Sequence, residues 1–390
     1  MKRFLIAGAM ALALATTAQA DGIKIGILMG FTGPIESLTT GIAGGAKIAI
    51  DEVNQAGQLG HIDVVEADTT CVDAGTATTS AERLVSSEQV VAIVGALCSG
   101  STIASANGVA IPNGVVMVSP ASTSPAITGL DDGGLIFRTA PSDARQGQVL
   151  AQVLSEKGIN TVALSYTNDD YGKGFADAFQ GAFEAAGGSV ALSAGHENGK
   201  ADYSAEVAAL SATGADHLVV LGYLDQGGKG ILEESIKSGA FSSFSGGDGM
   251  YGQSLIDALG DGISGMILTA PGGENEGAKM WQAIAGASGL DINGPFQGEA
   301  YDAAALILLA MAAGSPDRAG IAGAIMSVAN APGEKILPGQ LGKALDIIAA
   351  GGDVDYQGAS MVELNDAGDP PGAYLEYVME GSSWKVVRAR

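Results

Sequence analysis

The stretch VVAIVGALCSGSTIASANGVAIPNGVVMVSPASTSP, residues 90–125, decides the fold. Its two short apolar runs, at 90–95 and 115–119, are typical of buried strands, and the residues between them predict a helix at 102–110. A strand, a helix and a second strand in this order predict a parallel β-α-β unit. Short hydroxyl residues follow each of the two strands, at the places where such sheets bind ligands.

The same alternation of strands and helices continues along the chain in both directions. The predicted strands lie at 23–29, 62–67, 90–95, 115–119, 161–165, 190–194, 217–221 and 265–270. The predicted helices lie at 41–56, 74–87, 102–110, 145–157, 174–186, 203–211, 227–238, 278–287, 300–313 and 317–329. The Gly- and Asp-rich tail predicts further strands at 360–364, 374–379 and 384–388. Because 390 residues exceed one typical core, we expect an α/β protein with two doubly wound parallel-sheet lobes and a ligand cleft between them.

The first twenty residues have the pattern of a signal peptide. Lys2 and Arg3 precede an apolar run at 4–15, and Ala18-Gln19-Ala20 supplies a small-x-small cleavage site. That apolar run is shorter than the roughly 18–20 residues that a membrane span needs. No cysteine follows the cleavage site, so lipid attachment is not expected there. The pattern predicts an exported chain that is free in the periplasm.

Charge and cysteine content narrow the class further. The chain carries 43 acidic against 19 basic residues, a formal net charge of −24, which predicts no affinity for nucleic acid or anionic lipid. A saline habitat is an alternative origin for this acidity. Cys71 and Cys98 are the two cysteines, and an even number in an exported chain favours a disulfide over two buried free thiols.

Signatures of enzyme chemistry are missing from the sequence. It contains no HExxH, CxxC or GxSxG motif, and the loosely P-loop-like segment 222–229 has the wrong spacing and is followed by Gly230. An NAD(P)-type oxidoreductase would need GxGxxG after the first strand, and that position reads GFTGP at 30–34. A receptor ectodomain would need a membrane helix after the domain, and none precedes Arg390. We expect a binding protein without catalysis or cofactor.

Two hydroxyl-rich segments stand at the predicted carboxyl ends of adjacent strands. Cys98-Ser99-Gly100-Ser101-Thr102 follows one strand, and Ser119 begins the segment SPASTSP after the next. Backbone N–H groups and hydroxyls at such places bind a carboxylate without a formal cation. Helix capping also favours Ser and Thr and accounts for either segment alone. Two segments on neighbouring strands favour an anion site.

Around these segments the chain resembles the periplasmic leucine/isoleucine/valine-binding proteins of the type I solute-binding fold, over nearly the whole mature sequence. The motifs that carry the resemblance are Gly33-Pro34, Cys71 with Cys98, Leu97-Cys98-Ser99, Pro120-Ala121-Ser122-Thr123, Phe137-Arg138-Thr139, Asp170-Tyr171-Gly172, Gly222-Tyr223 and Asp355-Tyr356-Gln357-Gly358-Ala359. They are more specific for the fold than for the ligand.

The resemblance implies a three-segment hinge, with the chain crossing between lobes near residues 139, 270 and 359. Lobe 1 would hold 21–139 plus 271–359, and lobe 2 would hold 140–270 plus 360–390. It also implies a Cys71–Cys98 disulfide and a monomer that delivers a small amino acid, branched-chain or similarly apolar, to the permease subunits of an ABC importer. An amide or urea, or an aromatic or aliphatic carboxylate, is the alternative ligand.

In the first lobe, the resemblance implies a site for the ligand α-carboxylate. Ser99 and Thr123 would bind it together with the backbone at Leu97 and Ala121. The Ala121 carbonyl and the Thr123 hydroxyl would also accept hydrogen bonds from the ammonium group.

Aromatic and apolar side chains would complete the pocket. Tyr171 and Tyr223 would close over the ligand from the second lobe. Leu38 stands where the family commonly has an aromatic residue, which predicts a changed side-chain pocket. Phe296 is expected to form an apolar wall.

An acidic residue of the second lobe faces the ligand ammonium in this family. The matching position here is Asp248, where a Glu is commoner. Asp248 also lies in a glycine-rich turn, where Asp is favoured for local reasons. If Asp248 is not the partner, Asp225, Glu299 and Asp302 are the next candidates.

Overall fold

The computed structural model describes residues 22–390, so the predicted signal peptide at 1–20 lies outside the described residues. The strands are β1 (Ile23–Met29), β2 (Ile62–Asp68), β3 (Ala92–Gly95), β4 (Val116–Ser119), β5 (Ile136–Arg138), β6 (Thr161–Thr167), β7 (Ser189–His196), β8 (His217–Leu221), β9 (Phe244–Gly246), β10 (Ile267–Pro271), β11 (Glu334–Ile336), β12 (Val354–Tyr356), β13 (Tyr374–Glu380) and β14 (Ser383–Ala389). The α-helices are α1 (Glu36–Ala56), α2 (Ala74–Glu82), α3 (Ser99–Ser105), α4 (Pro125–Thr128), α5 (Asp143–Glu156), α6 (Asp170–Ala185), α7 (Ser204–Ser211), α8 (Gly227–Ser238), α9 (Gln253–Leu259), α10 (Glu276–Ala287), α11 (Gln297–Ala313), α12 (Arg318–Ala329) and α13 (Leu341–Ala349).

The first sheet is wholly parallel, in the order β2-β1-β3-β4-β5. Its central strands are apolar runs buried on both faces, as expected of a parallel sheet covered by helices. On one face α1 packs against α11, which comes from much later in the chain. The close approach requires Gly45, where an added Cβ would lie 2.1 Å from the Gln297 carbonyl oxygen.

The second sheet has the order β14-β13-β10-β9-β8-β6-β7. Strands β6 to β10 pair in parallel, and the tail adds β13 and β14 antiparallel at one edge. The predicted tail strand at 360–364 is wrong, because this segment forms turns. Its backbone is held by the Asp302 carboxylate, which accepts a hydrogen bond from Ser360 N at 2.7 Å, instead of by a neighbouring strand.

The chain passes between the two sheets three times: after β5, after β10 and before β13. Helices α10 to α13 and the small β11–β12 pair therefore return to the first sheet after the second has formed most of its strands. The predicted α/β architecture of two doubly wound lobes is confirmed. Below, the first lobe is the part built on the first sheet, and the second lobe is the part built on the second.

Direct hydrogen bonds join the two lobes opposite the crossings, so the structure is in a closed form. The Asp225 carboxylate accepts from Ser37 N at 3.0 Å, and Asp225 N donates to the Pro34 carbonyl at 3.1 Å. The Ser254 hydroxyl, from the same lobe as Asp225, also donates to this carboxylate at 2.9 Å. Helix α1 begins at Glu36, before the predicted start at residue 41, and Asp225 satisfies a free N–H in its first turn.

Cys71 and Cys98 form a disulfide, as predicted. It ties the loop after β2 to the residue that precedes α3. No single helix among residues 22–390 is long and apolar enough to cross a membrane; α11 and α12 pass that test only as a pair bent by 110°. Helix α11 lies in the interior, with residues 303–311 fully buried.

Candidate functional site

A cavity of about 340 Å³ lies between the lobes, at the carboxyl ends of strands from both sheets. The structure places eight predicted site residues on its wall: Leu38, Leu97, Ser99, Ala121, Tyr171, Tyr223, Asp248 and Phe296. Ile35, Ile42, Cys98 and Gly249 complete the wall. The ninth predicted residue, Thr123, is fully buried behind it. The roles of these residues as ligand contacts stay a prediction.

Ser99 is the first residue of α3, directly after the loop that leaves β3. Its hydroxyl oxygen accepts a hydrogen bond from Ser124 N at 3.1 Å, which links the loop after β4 to the loop after β3. Because that oxygen already accepts, its proton remains free to be donated into the cavity. Ser99 lies inside the helix and does not cap it, so capping does not account for this residue.

Several other hydroxyl groups of the two loops form hydrogen bonds within the protein. The Ser122 and Thr102 hydroxyls share a hydrogen bond of 2.7 Å, and the Ser119 hydroxyl donates to the Ala96 carbonyl at 2.6 Å. Ser124 caps the short helix α4. In the described part of the chain, the buried Thr123 hydroxyl has no hydrogen-bond partner. These hydrogen bonds hold the two loops in place, and the Ser99 hydroxyl keeps a free proton.

A buried arginine fixes the loop around Thr123 from behind. Arg138 is 0% exposed, and its guanidinium donates to the Ser122 carbonyl at 3.2 Å and to the Ser124 carbonyl at 2.9 Å. It also forms a bidentate ion pair with Asp369, at 2.5 and 2.9 Å. Asp369 belongs to the last crossing segment, so this pair couples the loop to the crossings between lobes. From the sequence, Arg138 was recognised only as part of a motif.

Two tyrosines form the wall of the second lobe. The rings of Tyr171 and Tyr223 stack with centroids 5.2 Å apart and 19° between their planes. The Tyr171 hydroxyl donates to Asp248 Oδ1 at 3.3 Å and accepts from Gly249 N at 3.1 Å. Burial and the nearby Asp248 raise the pKa of Tyr171 well above its usual value, so this hydroxyl stays protonated and remains a donor.

Asp248 is the one charged side chain on the cavity wall among the described residues, and it is 3% exposed. It follows β9 at the carboxyl edge of the second sheet. Burial raises the pKa of Asp248 to about 6. No basic side chain lines the cavity within residues 22–390, so a positive charge from outside would be needed to favour the carboxylate.

A second buried acid lies close by and was not singled out from the sequence. Asp143 is fully buried, and its carboxyl faces the Thr123 hydroxyl without a well-aligned hydrogen bond. Its N–H donates to the Thr123 carbonyl at 2.8 Å, which places it behind the first-lobe loop. Burial and the neighbouring Asp248 raise the pKa of Asp143 well above its usual value. In the sequence, Asp143 looks like an ordinary acidic residue in the first turn of α5.

The three reserve candidates for the ammonium partner do not line this cavity. Asp225 forms the contact between lobes described above. Asp302 accepts from the Tyr356 hydroxyl at 2.6 Å and from Ala359 N at 2.9 Å. Glu299 lies nearer the crossings, in a separate groove.

The remaining wall of the cavity is apolar. Leu38 and Ile42 extend from successive turns of α1, and Phe296 faces them from the start of α11. Phe296 adopts a left-handed backbone conformation with φ 60°, which is unfavourable for an aromatic residue and persists only where packing enforces it. The cavity is therefore polar at the sheet edges and apolar between α1 and α11.

Comparison with known proteins gives matches over most of the chain. Residues 22–342 match the family model described as "Periplasmic binding protein". The Leu/Ile/Val/Thr-binding protein of Salmonella typhimurium is 30% identical over 270 residues, which cover 68% of this chain and 73% of that protein. The Leu/Ile/Val-binding protein of Escherichia coli is 29% identical over 270 residues, with coverage of 68% and 72%.

Solved structures share the same architecture. The leucine binding protein LivK of Thermotoga maritima superposes with a TM-score of 0.78 and 24% identity, covering 94% of this chain and 98% of that one. A solute binding protein of Rhodopseudomonas palustris, solved in complex with benzoate, gives a TM-score of 0.76 and 16% identity, with coverage of 95% and 96%. At these identities the likeness establishes the fold.

Proposed function

The chain belongs to the periplasmic binding protein family, and we propose that it is the substrate-binding component of an ABC importer for a branched-chain or similarly apolar amino acid. The observation that carries this proposal is the division of the cavity. Neutral hydrogen-bond donors line the first lobe, and Asp248, the one acid on the cavity wall among the described residues, lies on the second. That arrangement is complementary to a zwitterion.

The first lobe would bind the α-carboxylate. Ser99, whose hydroxyl keeps a free proton, lines the cavity together with Leu97 and Ala121, while Arg138 stays behind the loop and holds its carbonyls. The charge of the carboxylate would then be stabilised by preorganised dipoles at the start of α3 and in the adjoining loop. Thr123 would add its unpartnered hydroxyl after a small shift of the loop.

The second lobe would bind the ammonium group through Asp248. A dry, closed cleft that left the ammonium unpaired would cost several kcal/mol, and so would a charged Asp248 without a partner. The ammonium group of the ligand would thus pair with the Asp248 carboxylate, whose charge is unfavourable in the ligand-free cleft. Because the two charges of the ligand are bound by opposite lobes, binding favours closure.

The apolar end of the cavity would select the side chain. Leu38, Ile42 and Phe296 offer contacts to a branched aliphatic group. Leu38 in place of an aromatic residue leaves more room beside α1. We therefore propose that leucine and isoleucine fit better than alanine.

The same proposal includes location, organisation and partners. Residues 1–20 would direct export to the periplasm, and the mature monomer would present its closed form to the permease subunits. Lobe 1 would comprise 21–139 plus 271–359, and lobe 2 would comprise 140–270 plus 360–390. The three crossings would act as the hinge.

An aromatic or aliphatic carboxylate is the competing ligand class, since a protein of this fold has been solved with benzoate. Such an acid has no ammonium group and would bring a second negative charge near Asp248. An amide or urea would leave Asp248 without a positive partner. The buried acid thus favours the amino acid over both alternatives.

The test is a thermal-shift screen of the mature protein, unfolded and refolded to remove bound ligand. We expect leucine, isoleucine and valine to raise the melting temperature, since a ligand at 100 times its Kd stabilises by about 2.7 kcal/mol. Benzoate, 4-methylpentanoate, acetamide and urea are the comparison set. A shift produced by an acid or amide and by none of the amino acids would contradict the proposal.

A further inference from the structure

A second and larger groove, of about 1010 Å³, lies where the chain crosses between the lobes. All three crossings contribute to its wall, through Thr139 and Pro141, Pro271 to Gly273, and Ala359 to Ala373. We call it the hinge groove. It shares only Phe296 with the amino-acid cavity, so the two spaces lie on opposite sides of that ring.

Aromatic rings are concentrated on the wall of the hinge groove. Tyr251 and Tyr377 lie with ring centroids 4.4 Å apart, and Trp384 lies 6.1 Å from Tyr251. The Trp384 indole N–H donates to the Gly252 carbonyl at 3.1 Å, which holds the ring in place. Trp281 lines the groove on the side of the first lobe. The faces of such rings attract cations, tryptophan most strongly.

A buried acid lies among these rings. Glu299 is 8% exposed and is the one charged residue on the groove wall in the described part of the chain. Its carboxyl receives no hydrogen bond from another side chain of residues 22–390, whereas Asp302, in the next turn of α11, is bonded to Tyr356 and Ser360. The Glu299 carbonyl accepts from the Thr139 hydroxyl at 2.7 Å, so α11 holds this carboxyl at the first crossing.

We propose that the hinge groove is a second ligand site and that it takes an organic cation, a quaternary or alkyl ammonium ion, with Glu299 as its counter-charge. Among the described residues no other side chain bonds to this acid, and aromatic rings and neutral polar groups, with no second carboxylate, surround it on the groove wall. The described residues also contain no group of His, Cys, Asp and Glu able to hold a metal ion.

The ionisation of Glu299 links cation binding to pH. Burial, with a smaller contribution from Asp302, raises the pKa of Glu299 to about 8, and Tyr377 is the other titratable group that faces it. At pH 7 the empty groove therefore holds a mostly protonated carboxyl group. A cation favours the carboxylate, so its binding releases a proton, and its affinity increases with pH until about pH 8.

The intrinsic tryptophan fluorescence of the protein can report ligand binding in the hinge groove. Trp281 and Trp384 are the two tryptophans of the sequence; both line the hinge groove, and neither lines the amino-acid cavity. Titration of ligand-free protein with tetramethylammonium chloride at pH 8 should change the tryptophan fluorescence to a saturating value. Equal concentrations of sodium chloride, or of tert-butanol, a neutral molecule of similar shape, should leave the tryptophan fluorescence unchanged.

Glu299→Gln should weaken the apparent affinity for tetramethylammonium at least tenfold. Glu233→Gln removes one negative charge from the exposed surface of α8, far from the groove wall, and should leave the affinity unchanged. A fluorescence change that does not saturate, that sodium chloride reproduces, or that survives in Glu299→Gln would overturn the proposal.

Calorimetry of the wild-type protein supplies a test that does not depend on a variant folding. The heat of tetramethylammonium binding at pH 7 should differ between phosphate and Tris buffer. The difference should equal that between the two buffer ionisation enthalpies multiplied by close to one released proton. Equal heats in both buffers would exclude Glu299 as the counter-charge.

Discussion

Asp248→Asn is the sharpest test of amino-acid binding. The substitution keeps the shape of the side chain and removes the one charge on the cavity wall among the described residues. The Tyr171 hydroxyl, which donates to Asp248 Oδ1 at 3.3 Å, can donate equally to an asparagine oxygen. The fold around β9 should therefore remain intact, and the change in affinity should report charge alone.

The expected loss is about a hundredfold in leucine affinity, or about 2.7 kcal/mol. Removing one partner of a buried charge pair costs roughly 2–5 kcal/mol, mostly because the other charge is left unpaired. We expect the lower part of this range because the Ala121 carbonyl and the Thr123 hydroxyl, both in the first-lobe loop, can still accept from the ammonium group. The asparagine oxygen also remains an acceptor.

Isothermal titration with leucine and with 4-methylpentanoate, which is leucine without its amino group, separates the two ligand charges. The affinity for 4-methylpentanoate should fall less than threefold in the variant, or should rise, because the neutral amide no longer repels the carboxylate. The pH profile supplies a second reading. Since burial raises the pKa of Asp248 to about 6, leucine affinity of the wild type should fall towards tenfold per pH unit below pH 6. Burial raises the pKa of Asp143 as well, so the leucine affinity of the Asp248→Asn variant should still fall at low pH, but with a shallower slope.

If the Asp248→Asn variant binds leucine with an affinity within a factor of two of the wild type, the ammonium partner lies elsewhere. Asp143, the other buried acid near the loop, would then be the next residue to change. If the wild type itself prefers 4-methylpentanoate to leucine, the amino-acid proposal fails and the carboxylate alternative replaces it.

Three further substitutions test the supporting structure. Thr123→Val should weaken leucine binding by about 1–2 kcal/mol in calorimetry with an unchanged melting temperature; equal affinity would remove this hydroxyl from the site. Arg138→Ala should lower the free energy of unfolding by about 3–5 kcal/mol in urea titrations, because Asp369 is left as a buried charge without its partner; a loss below about 1 kcal/mol would refute that account. Asp225→Asn should speed leucine release about fivefold in stopped-flow measurements, since its bond to Ser37 N forms only between closed lobes, and an unchanged release rate would show that this contact does not hold the cleft shut.

The alternation of apolar runs and helical spacing was sufficient to predict most strands, because parallel strands are buried on both faces and leave a strong pattern. Short elements were missed where that pattern is weak. Strand β9 contains three residues, Phe244–Gly246, and β12 contains Val354–Tyr356. The segment 360–364 has strand-like residues but is held in turns by Asp302, whose position no local pattern indicates.

Features that depend on distant partners could not be predicted. Helix α1 begins at Glu36, and in the closed form Asp225, on the other lobe, satisfies the N–H of Ser37 in its first turn. The hydroxyl-rich loops were identified as a site, yet the sequence could not distinguish Ser99, which keeps a free proton, from Ser122, which bonds to Thr102. That distinction depends on side-chain geometry across two loops.

The return of the chain to the first sheet has a consequence for biogenesis. During translation, α1 is made long before α11, its packing partner. In the same way β10 is made long before β13, with which it pairs at Ile267 and Val378. The first lobe cannot complete its core until α11 has left the ribosome, and the second cannot complete its sheet until β13 and β14 have. Such non-local pairing slows folding. A nascent chain should therefore stay open long enough to be threaded through a secretion channel, and truncations before α11 should yield proteolysis-prone fragments in place of one stable lobe.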